Sequence, residues 1–488
     1  MRTRLPVFAL VALNACASAP AAPPGRDLAR LAATIDSIIE TPPLHYTQWG
    51  IAAMDAVTGR MLYAHDAEKH FIPASNVKLP TTIAALGALG PDFRYTTDVL
   101  ADASGDSATL LVVRASGDPT LSARFDTTDF APLDSLARAV AASGIRLVRG
   151  DLVIDASRFD DQRVHGTWEI GDLPFGYAAP PGAFVVAEGT FQLVREPGIR
   201  VGAPAIVRVI GGDGLQPIVA NVITDTARAS PRWSFEILDR RDTVRINGRL
   251  GLGEDPDTLR YAVTDPDAFA ARAFHAALRH TGVSVQGGVR IVRDSAQAAS
   301  LGAHRVVASR TSPPLTEIVA AILKPSQNWM AEQLLRTLGA QLGERGSWGE
   351  GIGVERRYLV DHVGIDSLAF TLRDGSGLSV QNLLSPVAIV QMLAHARNAR
   401  WGDAFRAALP APGERGGTLS SRLRGLEERV AAKTGSITNV NSLSGYVVSE
   451  SGRDIIFSIM TNASGVSSAS VRNAIDTIVR VIAREGGP

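Results

Sequence analysis

Near the start of the chain apolar residues recur with a helical period. Leu28, Leu31, Ile35, Ile38 and Ile39 share one face, and the prolines at 42 and 43 stop the run. The period then changes. The stretch "WGIAAMDAVTGRMLYAHDAEK" is two strand-like runs around Thr58-Gly59, the pattern of a β-hairpin. Ser75 to Leu89 reads as a helix closed by Gly90-Pro91. From Phe93 to about Arg310 short Val/Ile-rich runs alternate with Gly/Asp turns, and "DSLARAVAASG" and "AFAARAFHAALRHTG" supply two helices. Long helical patterns return in "PLTEIVAAIL", "NWMAEQLLRTLGAQLG" and "SPVAIVQMLAHARN". Three consecutive strands follow, "RVAAKTGS", "NSLSGYVVS" and "RDIIFSIMTN". A closing helix carries Val471, Ile475, Ile478, Val479 and Ile482 on one face.

This order predicts one α/β domain assembled from the two ends of the chain, 26–94 and 308–488. The intervening 95–307 form an inserted domain, with a nested β subdomain at 192–262. A chain of 488 residues is too long for one ordinary core, which agrees with that division.

Composition narrows the function. Apolar residues make up 45% and charged residues 20%, a globular profile. A formal net charge of zero argues against a strongly basic nucleic-acid binder. The nine histidines are scattered without metal-ligand spacing, so no metal or other cofactor is expected. The first 19 residues read as an export segment: "MRTR", then the apolar "LPVFALVALNAC", then small residues. Two processing readings stay open. "LNAC" has the form of a lipoprotein box with Cys16, the only cysteine, as the lipid anchor; "ASA", Ala17 to Ala19, has the form of a signal-peptidase site. Either places the protein outside the cytoplasm, in the periplasm, with no internal disulfide.

Lysine is scarce. Only Lys69, Lys78, Lys324 and Lys433 occur among 49 basic residues. Lysine differs from arginine in that burial can lower its pKa enough for it to act as a base. Three of the four fall in or beside short motifs: Ser75-x-x-Lys78 in "PASNVKLP", Ser326-x-Asn328 in "KPSQNW", and Lys433-Thr434-Gly435-Ser436 in "AAKTGS". Each is weak alone, but the ordered trio is specific. Ser75 and Lys78 lie one helical turn apart, so the amine can take the proton of the serine nucleophile. Lys433 is the natural second cation: it depresses the pKa of Lys78 and attracts an anionic substrate. Ser326 can relay a proton to a leaving amine, and the Asn328 amide can hold both Lys78 and a substrate peptide. The backbone N–H groups of Ser75 and Ser436 form the expected oxyanion hole, and Thr434 with the Ser436 hydroxyl binds a terminal carboxylate.

With these motifs in place the sequence resembles the D-alanyl-D-alanine carboxypeptidase/endopeptidases, the class C low-molecular-mass penicillin-binding proteins of the penicillin-binding protein 4 type, serine peptidase family S13. The gap from Ser75 to Ser326 is far longer than a compact class A β-lactamase allows. "LGPDFRYTT", "SGDPTL", "SPPLTEIV", "DGSGLS", "LPAPGERGGTLSSR" and "SLSGYVV" resemble that family's segments over nearly the whole chain. The resemblance implies a penicillin-recognising, transpeptidase-like α/β domain, an antiparallel sheet flanked by helices, with an inserted α+β domain. It implies removal of the terminal D-Ala from peptidoglycan stem peptides, cleavage of the D-Ala cross-link, a serine acyl-enzyme and acylation by β-lactams. It also places Gly435 with the substrate-binding strand, and Asp172 and Tyr177 of "WEIGDLPFGYAAPP" against the free amine of the substrate side chain. An Arg that commonly follows "DGSGLS" in the family, and binds the carboxylate of the diamino acid, is Val380 here. Asp374 and Ser376 read as support for the site, and Lys324 as an electrostatic aid beside Ser326. The rival readings are a β-lactamase or esterase on the same scaffold, and a wall-binding protein without catalysis.

Overall fold

The computed structural model describes residues 26–211, 214–226, 232–237, 243–302 and 304–486. The expected export segment and Cys16 lie outside the described residues. Among the described residues no helix is long and apolar enough to cross a membrane.

The two ends of the chain meet in one antiparallel sheet. Its strands are β1 (Gln48–Asp55), β2 (Met61–His65), β3 (Val430–Ile437), β4 (Val440–Val448) and β5 (Asp454–Asn462), in spatial order β3-β4-β5-β1-β2. The closure runs from Gln48 opposite Asn462 to Asp55 opposite Ile455. Both faces are buried, which is why these strands read as nearly unbroken apolar runs rather than clean alternations. The pleat sorts the side chains. Ile51, Ala53, Ile455, Phe457 and Ile459 pack on α1 (Arg26–Ile39) and the closing helix Ser468–Glu485, through Leu31, Ile35, Val471, Ile475 and Ile478. Ala52, Met54, Ile456 and Met460 face the opposite layer. That layer contains α2 (Lys78–Ala88), α3 (Leu315–Leu323), α4 (Asn328–Leu342), α5 (Trp348–Tyr358) and α6 (Pro386–Asn398).

The segment between has its own core. Strands Thr96–Ser104, Ser107–Arg114, Leu147–Val148, Leu152–Asp155, Ser284–Val285, Val289–Val292 and Arg305–Thr311 make a mixed sheet. Helices Ala131–Ala142 and Pro266–His280 cover it through Leu133, Leu136, Val140, Phe269, Phe274 and Leu278. Residues 190–262 add two three-stranded sheets. A buried guanidinium ties this segment to α4. Arg336 donates to the Gly346, Gln162 and Asp160 carbonyls and to the Asp160 carboxylate, and it lies 4.8 Å from the centre of the Phe159 ring. Five donors in a fixed fork suit such a cluster of carbonyls.

One local difference from expectation matters. The Ser75–Leu89 segment is not helical from its first residue: Ala74–Val77 is a 3-10 turn, and α2 begins at Lys78. Pro80 has no N–H to give to the Asn76 carbonyl, and Lys78 N–H bonds that carbonyl instead, so the tighter turn fills the place. Ala74 takes a left-handed φ of 48° to start it.

Candidate active site

The 3-10 turn and α2 put Ser75 at the floor of a cleft and Lys78 beneath it. Lys78 is wholly buried. Its Nζ donates to Ser75 Oγ at 3.0 Å, to Asn328 Oδ1 at 2.7 Å and to the Ser376 carbonyl at 2.6 Å. Burial pulls its pKa down to about 7, against the upward pull of Glu332 and Asp374. The expected depression by Lys433 is not the cause. Lys433 is itself lowered, by burial and then by the charge of Lys78.

Strand β3 runs beside the serine turn. A methyl on Gly435 would lie 3.0 Å from Ser75 N, 2.7 Å from the Pro73 carbonyl and 2.2 Å from Ser442 Oγ, so only glycine permits this approach. From the same strand Lys433 Nζ donates to Ser326 Oγ at 2.8 Å and to the Thr434 carbonyl at 2.8 Å. Ser326 sits just ahead of α4 with φ at 64°, a strained position for a residue with a side chain. Thr434 is buried and gives its hydroxyl to Thr418 Oγ1 at 2.8 Å, whereas Ser436 is exposed and lines the cleft. Lys324 pairs with Glu414, and its carbonyl receives the Thr418 N–H at 3.1 Å. It therefore braces the loop behind Thr434.

The inserted segment reaches the cleft because it is pinned to the loop after α5. Trp168 Nε1 donates to Asp374 Oδ2 at 3.0 Å, and Thr167 Oγ1 to Ser379 Oγ at 2.6 Å. Asp374 is fully buried and also takes the N–H groups of Gly377 and Ser379 and the Asn382 amide. Beyond that anchor, Tyr177 Oη donates to Asp172 Oδ1 at 2.8 Å, and the Tyr177 carbonyl accepts from Asn328 Nδ2 at 3.0 Å. Phe175 and Tyr177 stack at 5.5 Å. The resulting cleft holds about 760 Å³ and is lined by Ser75, Ser326, Asn328 and Ser436 together with Asp172, Tyr177 and Val380.

Sequence reading missed several groups here. Arg124 and Glu188 line the cleft as an ion pair, bonded at 2.8 Å and 3.2 Å, and Glu188 also takes the Gln327 amide. Their signal is long-range pairing, which no local motif carries. Glu332 and Glu355 are buried behind Lys78, and burial raises the pKa of both. Glu332 had a readable mark: an acid four residues after Asn328, amid the buried apolar residues of α4.

A serine bonded by a buried lysine, on a sheet flanked by helices and roofed by an inserted domain, is the arrangement of an acyl-transferring serine hydrolase. The chain matches the D-Ala-D-Ala carboxypeptidase 3 (S13) family over residues 31–485 and belongs to that family. It is 35% identical over 489 residues to a D-alanyl-D-alanine carboxypeptidase of Actinomadura sp., covering 96% of this chain and 87% of that protein. The crystal structure of penicillin binding protein 4 from Haemophilus influenzae shares the fold, with a TM-score of 0.82 at 23% identity. That match covers 92% of this chain and 99% of the other. A structure of the same protein complexed with a β-lactam matches with a TM-score of 0.78 at 22% identity, covering 92% of this chain and 99% of that one.

Proposed function

We propose that the carboxypeptidase activity of this family runs here through an acyl-enzyme on Ser75, in a catalytic domain formed by 26–94 and 308–488. The observation that carries this reading is the buried Lys78 amine, held 3.0 Å from Ser75 Oγ and tuned to about 7. Ser75 Oγ attacks the carbonyl of the penultimate D-Ala and its proton passes to Lys78. The N–H groups of Ser75 and Ser436 receive the oxyanion. Lys433 and Ser326 pass a proton to the leaving nitrogen, the C–N bond breaks, and D-Ala departs. Water then hydrolyses the ester. Ser436, which lines the cleft, holds the substrate carboxylate with Lys433 behind it, Gly435 gives the strand its close approach, and Thr434 braces the strand through Thr418. Asn328 orients the scissile amide. β-Lactams acylate the same serine.

Asp172 and Tyr177 hold the side-chain amine of the stem peptide. The roof they build leaves a cleft of about 760 Å³, which supports cleavage of cross-linked peptides as well as terminal D-Ala. Removal of the N-terminal segment places the enzyme in the periplasm, with Cys16 as the lipid anchor if the lipoprotein box is used. Digestion of monomeric and cross-linked muropeptides, read by mass spectrometry, tests the function. Loss of one D-Ala from pentapeptides and conversion of dimers to monomers are the expected results; binding without release of D-Ala would contradict the reading.

Two further outcomes follow from the geometry. Lys78 must be neutral to accept a proton, and lowering its pKa to about 7 brings that form within reach. Acylation by a penicillin is therefore expected to rise as pH increases through about 7 and then level; a stopped-flow pH series measures it. Val380 lines the cleft and is 39% exposed. Val380→Arg is expected to raise kcat/KM for diaminopimelate peptides relative to lysine peptides about tenfold, through one charge-assisted bond. Competition between the two peptides in one digest reads that ratio directly.

A further inference from the structure

Behind the serine and its lysine lies a set of buried acids that the acyl-transfer chemistry does not itself use. Glu332 is 1% exposed and sits one turn after Asn328, on the same face of α4. Its Oε1 accepts the Ser376 N–H at 2.8 Å. Its Oε2 accepts the Gly375 N–H at 3.1 Å and Trp348 Nε1–H at 2.7 Å. Asp374 fixes the next peptide unit by accepting the Gly377 N–H at 2.9 Å. The carbonyl of that same unit, from Ser376, receives the Lys78 amine at 2.6 Å. One helix thus grips Lys78 twice: directly through Asn328, and through the turn that Glu332 holds.

Burying a carboxylate here is costly, and hydrogen bonds or an opposite charge must offset it. A structural turn needs only acceptors, which neutral side chains could supply. Glu332 instead brings an ionisable group: burial and Asp374 raise its pKa to about 7, its three N–H donors oppose that rise, and its ionised form acts on the amine.

We propose that Glu332 is a positioning residue for the Ser75–Lys78 pair: with Asp374 it fixes the Gly375–Gly377 turn whose carbonyl aims the amine, and it sets a negative charge next to it. This role rests on the acyl-enzyme reading above. The charged neighbours fix the sign of the effect. Lys78 on α2 faces Glu332, Asp374 and Lys433 of β3. Glu332 faces Asp374, Arg336 on its own helix, and Glu355 of α5, which accepts from Thr81 on α2 at 3.2 Å. His165 stands near Asp374, with Arg373 beside it. Glu332 and Asp374 favour the ammonium form of Lys78. Removing the Glu332 charge makes that ammonium give up its proton at lower pH. The acid limb of acylation must then move down.

The test is the rate of Ser75 acylation by a fluorescent penicillin from about pH 5 to about pH 9, in the full chain, for wild type, Glu332→Gln and Trp348→Phe. Glu332→Gln is expected to lower the plateau rate about tenfold and to move the acid limb down by about one pH unit. Trp348→Phe removes one donor to the carboxylate, favours its protonated form, and shifts the limb the same way by less. It decides the matter if Glu332→Gln does not fold. Limbs that coincide with wild type, or move up, overturn the proposal even when the rate falls, because a merely structural acid would slow acylation without moving the limb. A wild-type chain that never forms the Ser75 adduct would overturn the acyl-enzyme reading and this role with it.

Discussion

Lys78→Ala is expected to slow both penicillin acylation and D-Ala release by about 10⁴-fold, the upper range for loss of a positioned general base. Among the described residues, the amine is the only hydrogen-bond partner of the Ser75 hydroxyl. Without it the serine keeps its proton and is a weak nucleophile. The loss appears in kcat and in kcat/KM alike, because the interaction matters in the transition state. Lys78→Arg recovers little: a guanidinium stays protonated, and its planar fork does not fit a site that holds one tetrahedral amine among Ser75, Asn328 and Ser376. Single-turnover acylation kinetics on the two variants measure both effects.

Gly377→Ala is expected to cost on the order of 3 kcal/mol of stability and nearly all activity. Gly377 has φ at 83°, where a side chain is strained, and an added methyl would lie 1.9 Å from the Ala74 carbonyl and 3.1 Å from Ser75 N. The backbone of the serine turn cannot yield there without moving Ser75 itself. Thermal unfolding and penicillin labelling, run side by side, report the two losses. An alanine at Gly59, which also has positive φ but open space around it, is the control that isolates the steric contribution.

Much of this was legible because short motifs and pleated strands are local. The hairpin around Thr58-Gly59, the three closing strands and the last helix all follow from period and punctuation alone. Ser75, Lys78, Ser326, Asn328 and Lys433 come together as their order suggested, through the bonds from Lys78 to Asn328 and from Lys433 to Ser326. What the chain did not reveal depends on partners distant in sequence. The one local exception is the start of α2, which moved because Pro80 removes one donor. The origin of the Lys78 shift is burial under α4 and the Gly375–Gly377 turn, and burial is a property of packing. Thr434 turns to Thr418 rather than into the cleft, and the Arg124–Glu188 pair joins two separate loops of the insertion. No pattern along the chain encodes those meetings.

Acyl transfer is expected to pass through Ser75. Incubation of the full chain with penicillin, followed by proteolysis and tandem mass spectrometry, tests it most directly. The expected result is a long-lived adduct of the intact drug on the peptide that contains Ser75, absent from Ser75→Ala. An adduct on another residue, or rapid release of hydrolysed penicillin with no stable adduct, would contradict it.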